Sequence, residues 1–131
     1  ERSFILNSYR RLLEGLKSYQ QPSGRWLEII DLKGSYEEMT GTCMIGYAVA
    51  RGLRKGWIDS SNMEWVNKIW VGASERIADN GDVMDGCIST GAMESTRDYL
   101  DRTAVCGYDD RTGSLALWFA VEMSRLLDGR K

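Results

Sequence analysis

A six-residue phrase occurs twice in this chain of 131 residues, and the repeat constrains the fold more than any other feature. It reads YEEMTG at residues 36–41 and YDDRTG at residues 108–113, which lie 72 positions apart (108 − 36 = 72). Each copy is followed by a run of apolar and small residues with the spacing of a helix. Repetition with so long a period indicates stacked supersecondary units, none of which can bury its apolar face alone.

Four segments have apolar residues at steps of three and four, which predicts helices. They cover about residues 3–20, 40–55, 60–77 and 112–127, and the third follows a predicted cap at Ser60 or Ser61. The second is rich in glycine and alanine, which indicates that another backbone packs close to it. The last is apolar on more than one side, so it is either fully buried or lacks a partner.

Short extended segments are predicted at residues 26–30 and 82–89, each placed between two helices. A long loop follows at residues 90–107, with one helical turn within 93–100. The pattern of helix, ribbon, acidic phrase and small-residue helix therefore occurs twice. It predicts an all-α fold, a partial α/α toroid with short β ribbons, formed by residues 1–131 as a single domain.

Composition excludes several classes of function. A net charge of −2 argues against a nucleic-acid binder, and no apolar run is long enough to span a membrane. The chain has no histidine, so a histidine-based triad or metal site is impossible. Residues 79–85 superficially resemble a calcium loop but lack its terminal glutamate, so we expect no metal and no cofactor.

The three cysteines cannot all pair within one chain. Cys43 lies in an apolar helical run and is expected to be a buried thiol. Cys87 and Cys106 flank one loop region and would be able to form a disulfide in an oxidising compartment. Glu1 is expected to be a processed or excised N-terminus. We expect the protein to be secreted, with the cytoplasm as the alternative.

The acid pairs of the two phrases, Glu37 with Glu38 and Asp109 with Asp110, have two interpretations. They form a ligand site at the loop end, or they complement the dipoles of the helices that follow. In the second case the threonines Thr40 and Thr112 are expected to supply the capping oxygens.

Several segments together resemble the unsaturated rhamnogalacturonyl hydrolases, which belong with the unsaturated glucuronyl and galacturonyl hydrolases. The resemblance is carried by GRW at residues 24–26, YEEMTGTCM at 36–44, YAVARGLRKG at 47–56 and CISTG at 87–91. It implies a ring of six α-hairpins that removes the unsaturated uronic sugar left on pectin-type oligosaccharides by polysaccharide lyases. In that family an aspartic acid and a water hydrate the C4–C5 double bond, and a carboxyl group suits this role because it both donates and accepts a proton.

Two departures from the family pattern bear on activity. The family's catalytic aspartate and its Trp-x-Arg-Gly-Asn-Gly-Trp motif have no counterpart in this sequence, and Thr112 stands where relatives carry a histidine. The match is therefore expected to be the C-terminal portion of the ring, and no catalytic residue is assigned. Two functions stay open: a truncated relative or fragment that binds or associates without catalysis, and the C-terminal part of an active unsaturated rhamnogalacturonyl hydrolase.

The resemblance also indicates candidate residues for binding an unsaturated uronic-acid oligosaccharide. An arginine makes paired hydrogen bonds to a sugar carboxylate, although Arg97 is equally explained as a surface residue. Trp26 and Trp57 are able to stack on sugar rings, but we expect them to be buried. The candidates are Glu38, Thr40, Ser89, Thr90, Arg97 and Asp110.

An open arc of a ring leaves its first and last helices without neighbours. Trp118 and Phe119 are adjacent in the last helix and therefore point in different directions. Burying a large apolar side chain contributes about 1.5–3 kcal/mol, so several exposed ones favour a partner. We expect either a homodimer through the terminal helices or association with a missing N-terminal half.

Overall fold

The computed structural model describes residues 1–88 and 91–129, and this part of the chain is mostly helical with two short antiparallel ribbons. The predicted helical fold with β ribbons is thereby confirmed. In chain order the elements are α1 (Arg2–Lys17), β1 (Trp26–Leu27), β2 (Glu37–Glu38), α2 (Met39–Arg54), α3 (Met63–Ser74), β3 (Val83–Gly86), α4 (Thr96–Leu100), β4 (Val105–Gly107) and α5 (Asp110–Leu127).

The helices α2 and α5 pack side by side and run parallel. Their N-terminal ends both meet the second ribbon, because Glu38 accepts a hydrogen bond from the Cys87 amide and Thr112 contacts Gly86. Towards their C-terminal ends, the Nε of Arg54 lies 2.5 Å from a carboxylate oxygen of Glu122. The apolar core is formed mainly by α2, α3 and α5, with Leu13, Trp26 and Val83 added from α1, β1 and β3.

The glycines of α2 allow close packing, as the sequence predicts. A methyl group on Gly46 would overlap the ring of Phe119 from α5, which is fully buried. A methyl group on Gly52 would overlap the hydroxyl of Tyr9 from α1, which donates a 2.7 Å hydrogen bond to the carbonyl of Ala48. Glycine weakens a helix by roughly 1 kcal/mol relative to alanine, and here its absent side chain makes room for two neighbouring helices.

The capping prediction is wrong in its choice of residue. The carboxylate of Glu38 caps α2 by accepting from the amides of Thr40 and Gly41, and the carboxylate of Asp109 caps α5 by accepting from the amide of Thr112. The hydroxyls of Thr40 and Thr112 donate to these same carboxylates. An ionised carboxylate accepts more strongly than a hydroxyl, so the acid takes the cap position and the threonine supports it.

The start of α3 also differs from the prediction. Neither Ser60 nor Ser61 caps it: a 3₁₀ turn at Ser60–Asn62, capped by the carboxylate of Asp59, precedes the helix, and Asn62 stands at the N-cap position of α3 without a side-chain capping bond. The helix ends at Ser74, three residues before the predicted Ile77, because the chain already bends there to bring Ile77 opposite Val83. The predicted strand over residues 26–30 is shorter than expected, since only Trp26–Leu27 pairs with β2.

Cys43 is buried as predicted, while Cys87 and Cys106 are not joined by a disulfide bond. The register of the second ribbon explains this. Val83 pairs with Gly107 and Gly86 with Val105, so Cys87 extends beyond the pair at one end while Cys106 lies within it. The two cysteines are therefore out of register across the ribbon, and the sulfur of Cys106 instead lies 3.5 Å from the amide nitrogen of Asp85.

Candidate functional site

The first ribbon sorts its side chains onto two faces. Trp26 lies opposite Glu38 and the amide of Glu28 donates to the carbonyl of Tyr36 at 2.9 Å, so these four residues share one face. Glu37 points to the other face, where its carboxylate lies 2.6 Å from the guanidinium of Arg25. Strand alternation therefore separates the two adjacent glutamates: one forms a structural ion pair, and the other points to the end of α2.

Glu38 connects three elements. Its side chain is buried and accepts hydrogen bonds from the amide of Thr40 at 2.5 Å, the amide of Gly41 at 2.6 Å and the amide of Cys87 at 3.0 Å, and from the hydroxyl of Thr40. Four donors saturate this carboxylate. Its role is to hold the ribbon, the helix and the loop after β3 together.

The second ribbon and the segment before β4 complete a group of polar side chains near this end of α2. Asp85 has a left-handed backbone conformation (φ 60°) beside a register shift in the ribbon, and its carboxylate lies 3.1 Å from the Nε of Arg76. Arg102 lies close enough to Glu28 for its positive charge to act on that carboxyl. We call the whole group the acidic site: Glu28, Tyr36, Glu38, Asp85, Cys87 and Arg102.

Burial and like charges perturb this site. The pKa of Glu28 is raised above its ordinary value mainly by burial, and the opposing charge of Arg102 only partly offsets this. The pKa of the Tyr36 hydroxyl is also raised, by burial first and then by the negative charges of Glu28 and Glu38. Burial raises the pKa of the neighbouring Cys43 thiol to about 12, so it is not a nucleophile at neutral pH.

The chemistry that this arrangement allows is proton exchange and binding of a polar ligand. One carboxylate oxygen of Glu28 is buried and has no hydrogen-bond partner among residues 1–88 and 91–129. The Glu28 carboxyl is able to hydrogen-bond to a ligand hydroxyl and to exchange a proton, and the guanidinium of Arg102, which acts on it electrostatically, is suited to bind a ligand carboxylate. Perturbed titratable groups of this kind are found preferentially at functional sites.

The predicted binding residues do not all lie together. Thr40 lies beside Glu38 as described above, whereas Ser89 and Thr90 fall outside the residues that the structure describes. Arg97 lies on the exposed surface of α4, 2.7 Å from Asp101. Asp110 is exposed at the start of α5 and accepts a hydrogen bond from the Tyr108 hydroxyl, which raises the pKa of that tyrosine. Their roles in binding stay predictions.

Both tryptophans proposed for stacking pack against protein. Trp26 is 2% exposed and its indole donates to the carbonyl of Leu16 at 2.7 Å. Trp57 is partly buried and meets the ring of Tyr9 edge to face, with centroids 6.0 Å apart. Burial is confirmed for Trp26, and it leaves no face of that ring for a sugar.

Across residues 1–88 and 91–129, no three His, Cys, Asp or Glu side chains are grouped so that they would hold a metal ion. Within the same residues, no helix has both the length and the apolar character that crossing a membrane requires.

Sequence reasoning missed Glu28 and Arg102. Neither lies in a recognisable motif, and 74 positions separate them (102 − 28 = 74). The sequence offers one signal for Glu28. It lies two positions after Trp26 in a segment predicted to be extended, so the two side chains are expected on the same face of the strand.

The chain matches the family model described as Glycosyl Hydrolase Family 88 over residues 1–127, and it therefore belongs to that family. This confirms the resemblance on which the sequence interpretation depends.

Solved structures of low sequence identity share the fold. A possible member of the GH105 family from Salmonella enterica serovar Paratyphi A has a TM-score of 0.84 at 18% identity, with 97% of this chain and 32% of that chain covered. A family 105 glycoside hydrolase from C. acetobutylicum gives 0.77 at 20% identity, covering 93% and 37%. A family 88 glycosyl hydrolase from Bacteroides vulgatus gives 0.71 at 15% identity, covering 96% and 36%. The chain thus spans about a third of the length of each structure.

Proposed function

We propose that this chain forms part of the α/α toroid of an unsaturated uronyl hydrolase and that its acidic site binds the uronic sugar without catalysing its removal. Membership of family 88 supports the class of substrate. The parallel pair α2 and α5, with the outer helices α1 and α3 connected to them, supports the toroid. Catalysis would need the aspartate segment that this sequence does not include.

The observation that carries the proposal is the buried carboxylate oxygen of Glu28, which has no hydrogen-bond partner among the described residues and lies within electrostatic range of Arg102. A buried oxygen without a hydrogen bond is costly, typically about 1–3 kcal/mol, so a site that keeps one is suited to a ligand that satisfies it. A uronic sugar carries a suitable partner for each of these two side chains. Its carboxylate pairs with the guanidinium, and a ring hydroxyl bonds to Glu28.

The alternative is that the chain is the C-terminal part of an active unsaturated rhamnogalacturonyl hydrolase acting on lyase-generated pectin oligosaccharides. This is favoured by the alignment of nearly the whole chain with about a third of each solved relative. The acidic site would then hold the sugar while another part of the ring supplies the proton.

Calorimetric titration with an unsaturated digalacturonate tests the binding proposal. We expect saturable binding that Arg102→Gln weakens by about tenfold, as expected for the loss of roughly 1.4 kcal/mol. Arg111→Gln is the matched control, since that arginine is exposed at the other capped end, near Asp109. Equal weakening by both variants, or no binding by the parent chain, would contradict the proposal.

The absorbance of the sugar's double bond distinguishes the two functions. Mixed with the purified chain alone, the unsaturated disaccharide should keep its absorbance unchanged. A steady loss of absorbance that a Glu28→Gln change abolishes would show that this chain carries catalysis by itself.

Association and location are further proposals. We expect the chain to associate through its terminal helices, with a second copy or with a missing N-terminal half. We expect it to be secreted and to bind neither nucleic acid nor membranes; fractionation of the source cells would check the location.

A further inference from the structure

Arg76 and Asp85 form an ion pair at one edge of the acidic site. The Nε of Arg76 lies 3.1 Å from a carboxylate oxygen of Asp85. This Nε is buried, yet its N–H is directed at no acceptor among the residues that the structure describes. The Asp85 carboxylate also meets the thiol of Cys106, at the long distance of 4.0 Å. The two charges therefore attract each other, but the pair keeps hydrogen-bonding capacity for a ligand.

Arg25 shows how differently a structural arginine is held in this fold. Its side chain is 8% exposed, and its guanidinium donates to Glu37 at 2.7 Å, to the carbonyl of Gly72 at 2.7 Å and to Glu75 at 3.2 Å. The Arg76 side chain is 41% exposed and has one acidic partner in the described part of the chain. Arg25 is fixed by the protein, whereas Arg76 is accessible to a ligand.

The backbone holds Asp85 in an unusual conformation. Within residues 1–88 and 91–129, it is the one residue other than glycine with a positive φ, 60°. The register of the second ribbon shifts at the same place, between Val83 and Gly86. A side chain in this conformation is kept there by the structure around it, and such residues are concentrated at binding sites.

Electrostatic contacts give the order of the side chains across the site. The charge of Arg102 acts on Glu28, and the Tyr36 hydroxyl responds to the charges of both Glu28 and Asp85. Because such effects decrease with distance, Tyr36 lies between two pairs of opposite charge. Glu28 and Arg102 are on one side of it, and Asp85 and Arg76 are on the other.

We propose that Arg76 and Asp85 bind the second sugar of the ligand, the one to which the uronate is attached, and thereby determine which disaccharides the site accepts. The inference rests on the proposed binding of the uronate at Arg102. Arg76 donates to one hydroxyl of the second sugar, and Asp85 accepts from a neighbouring hydroxyl. The pair is neutral as a whole, so it suits a neutral sugar. The carboxylate of a second uronate would instead be repelled by Asp85.

Calorimetric titration with two disaccharides tests this assignment. An unsaturated galacturonyl-rhamnose carries one carboxylate, and an unsaturated digalacturonate carries two. The parent protein should bind the first about tenfold more tightly. Asp85→Asn retains a residue that tolerates positive φ and leaves the charge of Arg76 unopposed, so it should tighten digalacturonate binding about tenfold and remove the preference.

Asp82→Asn is the matched control, because it makes the same charge change in the turn before β3 and should preserve the preference. Added salt should reduce the preference of the parent protein, since it arises from repulsion between charges. Both parent measurements need no variant, so they decide the question even where Asp85→Asn does not fold.

Equal affinity of the parent protein for the two disaccharides would overturn the inference. An effect of Asp85→Asn that Asp82→Asn reproduces would overturn it as well. The uronate proposal is judged separately, because Arg102→Gln should weaken both disaccharides whether or not the parent protein prefers one of them. If neither disaccharide binds to the parent protein, the proposed function fails and this inference fails with it.

Discussion

The two parallel helices begin with the same phrase but are anchored differently. Glu38 accepts four hydrogen bonds and joins α2 to both ribbons, whereas Asp109 caps α5 with bonds from Thr112 alone and pairs loosely with Arg111 at 3.6 Å. Glu38 is buried, and Asp109 lies at the molecular surface in part. The first copy of the phrase therefore caps its helix and also connects it to neighbouring elements. The second copy, with fewer neighbours around its acid, only caps its helix.

A shift of one residue accompanies this difference. The phrases are 72 positions apart, but the capping acids are 71 apart (109 − 38 = 71). In an extended segment a one-residue shift turns every side chain to the opposite face. Tyr36 therefore packs beside Glu28 in the acidic site, while Tyr108 is 88% exposed. The first phrase therefore faces the acidic site, whereas Tyr108, Asp109 and Asp110 of the second phrase border a separate groove of about 340 Å³.

Removing the two capping carboxylates gives the sharpest test of this contrast. Glu38→Ala leaves several buried donors unsatisfied and should cost about 3 kcal/mol in the free energy of unfolding. Asp109→Ala removes an ordinary cap and should cost about 0.5–2 kcal/mol. Urea denaturation followed by circular dichroism measures both. Equal losses would mean that the junction at Glu38 adds nothing to the cap.

Substitutions at two glycines, one in α2 and one in α5, test how tightly the two helices pack. Gly46→Ala forces a methyl group into the buried ring of Phe119 and should destabilise the protein by about 1–3 kcal/mol. Gly113→Ala is the matched control on α5, because its new methyl group would meet no atom within 4 Å. It should stabilise the protein by about 0.5–1 kcal/mol through helix propensity.

Thermal unfolding of the two variants should move the melting temperature in opposite directions. If Gly46→Ala also stabilised the protein, the close approach of α2 and α5 would not be a tight contact.

The sequence predicts those parts of the fold that depend on interactions between residues close together in the chain. Helical periodicity depends on neighbours three and four residues apart, and it located α1, α2 and α5 to within a few residues. It could not decide which of two adjacent acids caps a helix, because the pairing of Trp26 with Glu38 fixes that choice from another element.

The acidic site was harder to predict than the helices. Arg102 approaches Glu28 only because the second ribbon folds back towards the first, and no local pattern encodes that approach. Arg97, the arginine chosen from the sequence, instead pairs with Asp101 one helical turn away. An arginine followed by an acid four residues later in a helix is expected to form an ion pair with that acid. This spacing therefore argues against Arg97 as the arginine that binds a ligand.

The smallest expected effect tests whether the acidic site differs electrostatically from the exposed surface. Folding raises the pKa of Glu28, so the folded protein binds this proton more tightly than the unfolded chain does. The ionised form therefore lowers stability as the pH rises above about 4.3, the ordinary value for a glutamate. Glu28→Gln removes that penalty, so it should raise the melting temperature at pH 7.5 but not at pH 4. Glu14→Gln on exposed α1 is the control and should show no such pH dependence. A variant less stable than the parent at pH 7.5 would show that the attraction of Arg102 for the ionised carboxylate outweighs the cost of burying it, which would contradict the raised pKa of Glu28.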